Sequence, residues 1–216
     1  MFVGHYGVSF AAASLRRDIP LWVLFVAVQL MDIVWAALVL LGVEKLSLAP
    51  GITAANPLDL SLMPYSHSLV AAVLWSAAGF LVYRLVRVGH ASAAALLVGL
   101  TVLSHWAADL LVHRPDLPLY DDIHKIGLGL WDHPVLSFLL EGALLAVGLL
   151  MYLHSTAPRS PLGRYGMAAF GAVLLAAQAG FYFAPSPPTP TAVAVSALTL
   201  FAVFTAVAAW LEWTRV

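Results

Sequence analysis

Cysteine is absent, which excludes a disulfide framework and any thiolate metal site, and removes the usual redox clue to compartment. Charge is scarce. Asp, Glu, Lys and Arg make up 10% of the chain, where a soluble domain carries about 25%. The formal net charge is −1, so the basic excess of a nucleic-acid binder is missing and no such partner is expected. The opening residues MFVGHYGVSF lack the basic start of a secretory leader, because Arg16 and Arg17 follow the first apolar piece. No internal repeat, low-complexity tract or lipidation motif is legible in the chain.

What stands in their place is apolar sequence. Of 216 residues, 62% are hydrophobic, and the mean hydropathy is +0.93. Runs close to the length that crosses a bilayer recur along the chain. The reading is an all-α, polytopic transmembrane helix bundle, one integral membrane domain over 1–216, with the lipid bilayer as its surroundings. Six long crossings are predicted at 19–43, 66–86, 91–112, 134–153, 163–184 and 191–213. A short apolar helix at 2–15 precedes them. At about 1.5 Å per residue it falls short of the ~30 Å hydrocarbon core, so it reads as a thin crossing or a re-entrant half-helix. The segment 44–65 carries Pro50, Gly51, Pro57 and Pro64 and reads as a loop. The stretches GALLAVG (142–148) and ASAAA (91–95) offer small residues for close helix packing.

Basic residues orient this map. Arg16, Arg17, Arg84, Arg87, Arg159, Arg164 and Arg215 fall at one set of ends, and Lys45, Arg114 and Lys125 at the other. The positive-inside rule places the first set in the cytoplasm, the N-terminus outside and the C-terminus inside. His90 and His154 then sit at cytoplasmic ends as snorkelling residues, and tryptophans such as Trp22, Trp106 and Trp131 near crossing ends read as an aromatic belt.

Against that background a few ionisable residues stand out. His105, Asp109 and His113 follow one another at four-residue steps near the outer end of the third long crossing. Asp32 lies near mid-helix, His67 opens the helix after Ser66, His5 is near the outward terminus, and Glu141 is on the outer half of its helix. Ionisable groups are expensive inside a membrane and mark functional sites. Residues i and i+4 differ by about 40° around a helix and about 6 Å along it. His105 and Asp109 can therefore share one ion, while His113 joins a second only if Asp109 bridges the two. Imidazole and carboxylate without thiolate favour a divalent metal of the zinc, manganese or iron kind, zinc first. The alternative is polar glue between helices.

The same residues carry a resemblance. "GH" at 4–5, "LMDI" at 30–33, "YSHSL" at 65–69 and "LSHWAADLLVHRPDLPL" at 103–119 occur in that order. This resembles the membrane-bound metal-dependent hydrolases, also called LexA-binding, inner-membrane-associated hydrolase-like proteins. That family shows Gly-His near the N-terminus, a Pro-Asp-Ile-Asp-His box, a His-Arg-Gly-x-Thr-His-Ser box and a Ser-His-x-x-x-Asp box. By position, the resemblance implies His5, Asp32, His67, His105 and Asp109 as metal ligands, in the bacterial inner membrane. The order is also similar to that of the zinc-dependent phospholipase C and P1 nuclease group, which implies phosphoester hydrolysis. Departures are plain: Val34 and Trp35 stand where the family has Asp and His, and Leu62 and Met63 replace His-Arg. Glu141, His113 or loop residues are the candidates to complete such a site. The expected function is a membrane-embedded metal-dependent hydrolase acting on a phosphoester, such as a lipid-linked phosphate. Asp109 and His113 would serve the reaction, and Arg114 would hold a phosphate. Two other classes stay open: a permease using the buried His and Asp groups as an ion or proton path, and a non-catalytic membrane scaffold.

Overall fold

The computed structural model describes residues 1–87, 92–185 and 187–216. His90 and the expected start of the third long crossing at 91 lie outside them. Eight α-helices form the bundle: α1 Gly4–Leu15, α2 Leu21–Val28, α3 Leu30–Leu40, α4 Leu69–Val86, α5 Ser92–Val112, α6 Pro134–Ser155, α7 Pro161–Phe183 and α8 Pro190–Glu212. Each expected crossing has its helix within a few residues, for local reasons. Ser68, Ser160 and Thr189 accept hydrogen bonds from backbone N–H groups three residues on and cap α4, α7 and α8. Proline occupies the first turn of α6, α7 and α8, where its missing N–H costs nothing.

Helices α4 to α8 are each long and apolar enough to cross a membrane, and α2 with α3 makes a sixth span bent by 52°. Leucines and valines on their outer faces are exposed, as lipid-facing residues are. The chain is thus an all-α membrane protein.

Two features depart from the sequence reading. The span expected at 19–43 is broken at Gln29, with no glycine or proline within Leu21–Leu40 to announce it. Its cause is long-range: the Val28 carbonyl accepts a hydrogen bond from His105 Nδ1 at 2.6 Å, a side chain inserted where the helix would continue its ladder. The loop at 44–65 also holds an antiparallel hairpin, β1 Lys45–Leu48 with β2 Leu58–Leu62.

The short α1 is buried in the bundle over most of its length, with Leu15 at its end exposed. His5, Tyr6, Gly7, Ser9 and Phe10 are all buried. It crosses α6 with backbones touching: a Cβ on Gly7 would meet the Leu144 carbonyl, and a Cβ on Gly148 would meet the Gly7 carbonyl. The expected small-residue surface of α6 is used here.

Candidate metal centre

Four elements bring the cluster together. Helix α5 supplies His105, Asp109 and, one residue past its end, His113. The break before α3 places Asp32 in the first turn of that helix, which removes the depth difference that a straight helix would impose. His67 stands just before the Ser68 cap of α4, so it is not itself the cap. His5 comes from the buried α1 and is fully enclosed, its ring stacked on His105 at 3.8 Å. The N-terminal segment is therefore part of the core.

The distances define a compact donor set. His105 Nε2 lies 3.0 Å from Asp109 Oδ2, and His67 Nε2 and His113 Nε2 each lie 3.7 Å from the same oxygen. Asp32 Oδ1 stands 3.3 Å from His67 Nε2 and 3.6 Å from His105 Nε2. His5 Nε2 is 3.2 Å from Asp109 Oδ1. Donor atoms bonded to one tetrahedral zinc at about 2.05 Å stand about 3.3 Å apart. Two overlapping triads, His5–His105–Asp109 and Asp32–His67–His105, have ligand atoms within 4.8 Å of one another.

The opposite edges of three rings are held. His105 Nδ1 donates to the Val28 carbonyl. His67 Nδ1 donates to Ser66 Oγ at 2.8 Å, because that hydroxyl spends its own proton on Glu44 Oε2 at 2.6 Å. His113 Nδ1 donates to Asp116 Oδ1 at 2.8 Å. Each contact fixes the tautomer and leaves Nε2 with a lone pair on the Asp32–Asp109 side. His105 Nε2 and both His5 nitrogens are buried without an aligned hydrogen-bond partner among the described residues, although carboxylate oxygens lie close. Short distance without alignment is what a set of ligands around a shared ion presents, so the residues fit a divalent metal. Asp109 faces His67, His105 and His113 with one oxygen.

The remaining expected residues sit differently. Glu141 is buried but belongs to neither triad. Its Oε2 accepts from the backbone N–H of Phe2 at 2.6 Å and of Gly4 at 3.2 Å, and its Oε1 from the Tyr182 hydroxyl at 2.9 Å. It anchors the start of α1, where free N–H groups and the helix dipole favour a carboxylate. Arg114 binds Asp59 on β2 at 2.5 Å and Asp116 at 3.1 Å. With both acids on it, the guanidinium ties the hairpin to the end of α5 and steadies the partner of His113, instead of facing the cavity as a phosphate clamp.

Sequence reasoning missed the roles of four residues. Glu44 and Ser66 act behind His67, across 22 residues of chain. The Met1 amino group donates to Asp109 Oδ1. Trp131, expected in the aromatic belt, is buried with its ring centroid 4.3 Å from that of His113. Only the "SH" pair at 66–67 hinted at any of these.

A cavity of about 470 Å³ adjoins the cluster. Asp32, His67, Asp109 and His113 are among the residues that line it, together with residues of α7 and α8 and of the 44–65 segment. No family model, no curated protein and no solved structure matches this chain.

Proposed function

We propose that the chain is a membrane-embedded, metal-dependent phosphoester hydrolase of the bacterial inner membrane, with its site near the outer face. One observation carries this reading: the Nε2 atoms of His67, His105 and His113 turn to a single Asp109 oxygen while their Nδ1 atoms are all tied down. Hydrogen-bonded glue between helices needs no such convergence. The ordered motifs at His5, Asp32, His67 and His105-x-x-x-Asp109, and the basic residues at the opposite helix ends, support the same reading.

His5, Asp32, His67, His105 and Asp109 would hold the ion, zinc first, with manganese or iron also suited to these donors. When bound, such an ion lowers the pKa of a coordinated water to about 7 and polarises a phosphoryl oxygen. The chain's own residues do the rest. Val28, Ser66 and the helix break orient the ligand rings before any substrate arrives. His113 is in neither triad, lines the cavity and keeps Nε2 free of its Asp116 bond. It is therefore placed to take a proton from the attacking water and return it to the leaving oxygen, with Asp116 stabilising the charged ring. Trp131 covers one side of that imidazole and keeps bulk water from it.

The test is metal content by mass spectrometry on detergent-purified protein without a metal-affinity tag. Wild type should carry zinc or manganese in stoichiometric amount, and the His105→Ala, Asp109→Ala double variant should carry none. No bound metal in either protein after metal is added back would overturn the reading.

A further inference from the structure

The cavity is amphipathic, and its two ends lie on different parts of the fold. At the polar end are Asp32, His67, Asp109 and His113. Beside them stand Asn56 and Trp35, both buried, whose Nδ2 and Nε1 donors have no hydrogen-bond partner among the described residues. The apolar lining comes from α7 and α8, with Ala177, Phe181, Val193, Ala197, Leu200 and Phe201, and from Leu58, Leu60 and Met63 of the 44–65 segment. On α8 these residues begin about 5 Å from the helix start and reach about 17 Å along it, roughly half of the ~30 Å hydrocarbon layer.

This end is not closed. Gly180 on α7 and Ser196 on α8 line the cavity and are also exposed on the outer surface of the bundle. Open space lies where a Gly180 Cβ would stand. Both residues sit on span-length apolar helices.

We propose that α7 and α8 form a chamber for a hydrocarbon chain, entered sideways from the bilayer between Gly180 and Ser196. The occupant is a membrane amphiphile whose phosphoryl head meets the His/Asp cluster and the Asn56 and Trp35 donors while its chain stays in the apolar half. The identity of the head rests on the hydrolase reading above; the chain chamber rests on the cavity alone. A chain that enters from the side keeps its apolar surface out of water throughout, whereas a soluble phosphoester has nothing to place between α7 and α8.

The probe is phosphatidic acid carrying a diazirine in one acyl chain, in phosphatidylcholine vesicles containing the reconstituted full chain. After photolysis, adducts are mapped by peptide mass spectrometry. Val173 and Val203 are exposed on α7 and α8 outside the lining and report ordinary lipid contact. Phe201 is 5% exposed and Met63 0%, so adducts there require a chain inside. Adducts on Phe201 and Met63 are expected. Gly180→Leu should cut them about tenfold, equivalent to about 1.4 kcal/mol, and leave Val173 and Val203 labelled. Ser196→Leu, on the facing helix, repeats the test should the first variant misfold. Adducts confined to exposed residues in wild type, or internal adducts unchanged by both variants, overturn the proposal. Phosphate release from the same lipid and from p-nitrophenyl phosphate is read in parallel. Turnover of the soluble ester without internal adducts removes the chamber and keeps the hydrolase. Internal adducts without any turnover keep the chamber and remove the hydrolase.

Discussion

At the end of the bundle opposite the cluster, Arg215 is buried between α6, α7 and α8. Its guanidinium donates to the Gly163 carbonyl, to the Thr156 carbonyl at 2.9 Å and hydroxyl at 2.8 Å, and to the Leu153 carbonyl at 3.2 Å. Glu212 beside it accepts the Leu21 N–H with both oxygens, at 2.8 and 3.0 Å. At the cluster, His5 and His105 are buried at least as deeply, yet three of their four ring nitrogens lack an aligned partner. Both ends carry the desolvation cost of buried ionisable groups. Only one spends those groups on the fold. Arg215 and Glu212 close helix ends whose backbone groups would otherwise be unpaired; the histidines face each other and a pair of carboxylates, and among the described residues only His105 Nδ1, of their four ring nitrogens, serves the backbone. Buried polarity that is satisfied is architecture, and buried polarity that is oriented but unsatisfied is the signature of a ligand.

Chelation gives the sharpest contrast. Stripping metal should lower the stability of wild type by about 2.7 kcal/mol if the free ion was present at about 100 times its Kd, read as a fall in Tm in detergent. The His105→Ala, Asp109→Ala variant should show no such fall, and an equal fall in both would erase the difference between the two ends. Arg215→Met should cost about 2 kcal/mol of stability, because it strands several carbonyls, and should leave metal content unchanged. A loss of metal in that variant would mean that the ends are not independent. Ser66→Ala keeps every ligand but removes the support of His67. Metal affinity should drop about 10-fold or more, as for other lost outer partners of a ligand histidine, measured by competition with a chromophoric chelator. The smallest effect belongs to Asp59→Asn. The Arg114–Asp59 pair is a quarter to a third exposed, so its loss should cost under about 1 kcal/mol, with metal content intact by mass spectrometry.

How much of this could be read from the residues alone divides along the same line. The helices were legible because lipid-facing apolar length and first-turn prolines are local signals. The His105–Asp109–His113 stripe was legible because one helix turn fixes its geometry. Asp32 was visible as a candidate but not its depth, since the break at Gln29 is made by His105 from a helix about seventy residues later in the chain. Glu141 looked like a spare ligand because its partners, two N–H groups at the start of α1 and Tyr182, are distant in sequence. Arg114 looked like a phosphate clamp because the hairpin bearing Asp59 is too short to announce itself among the loop prolines. The part played by α7 and α8 was not legible at all, because a chamber wall of Ala, Val, Leu and Phe has the same composition as a lipid-facing surface.

The contact of Gly7 with Gly148 works as a depth gauge for the whole centre. His5 is two residues from Gly7 on α1, so any axial slip of that helix against α6 moves the imidazole by the same amount, and a displacement of one ångström is enough to spoil a ligand bond. Neither glycine can accept a methyl group without pushing backbone from backbone. The calibration of the polar centre is therefore held by two residues that have no side chains, one of them about half a helix turn from His5, and a lineage could lose the arrangement through either of them while every His and Asp of the cluster remained in place.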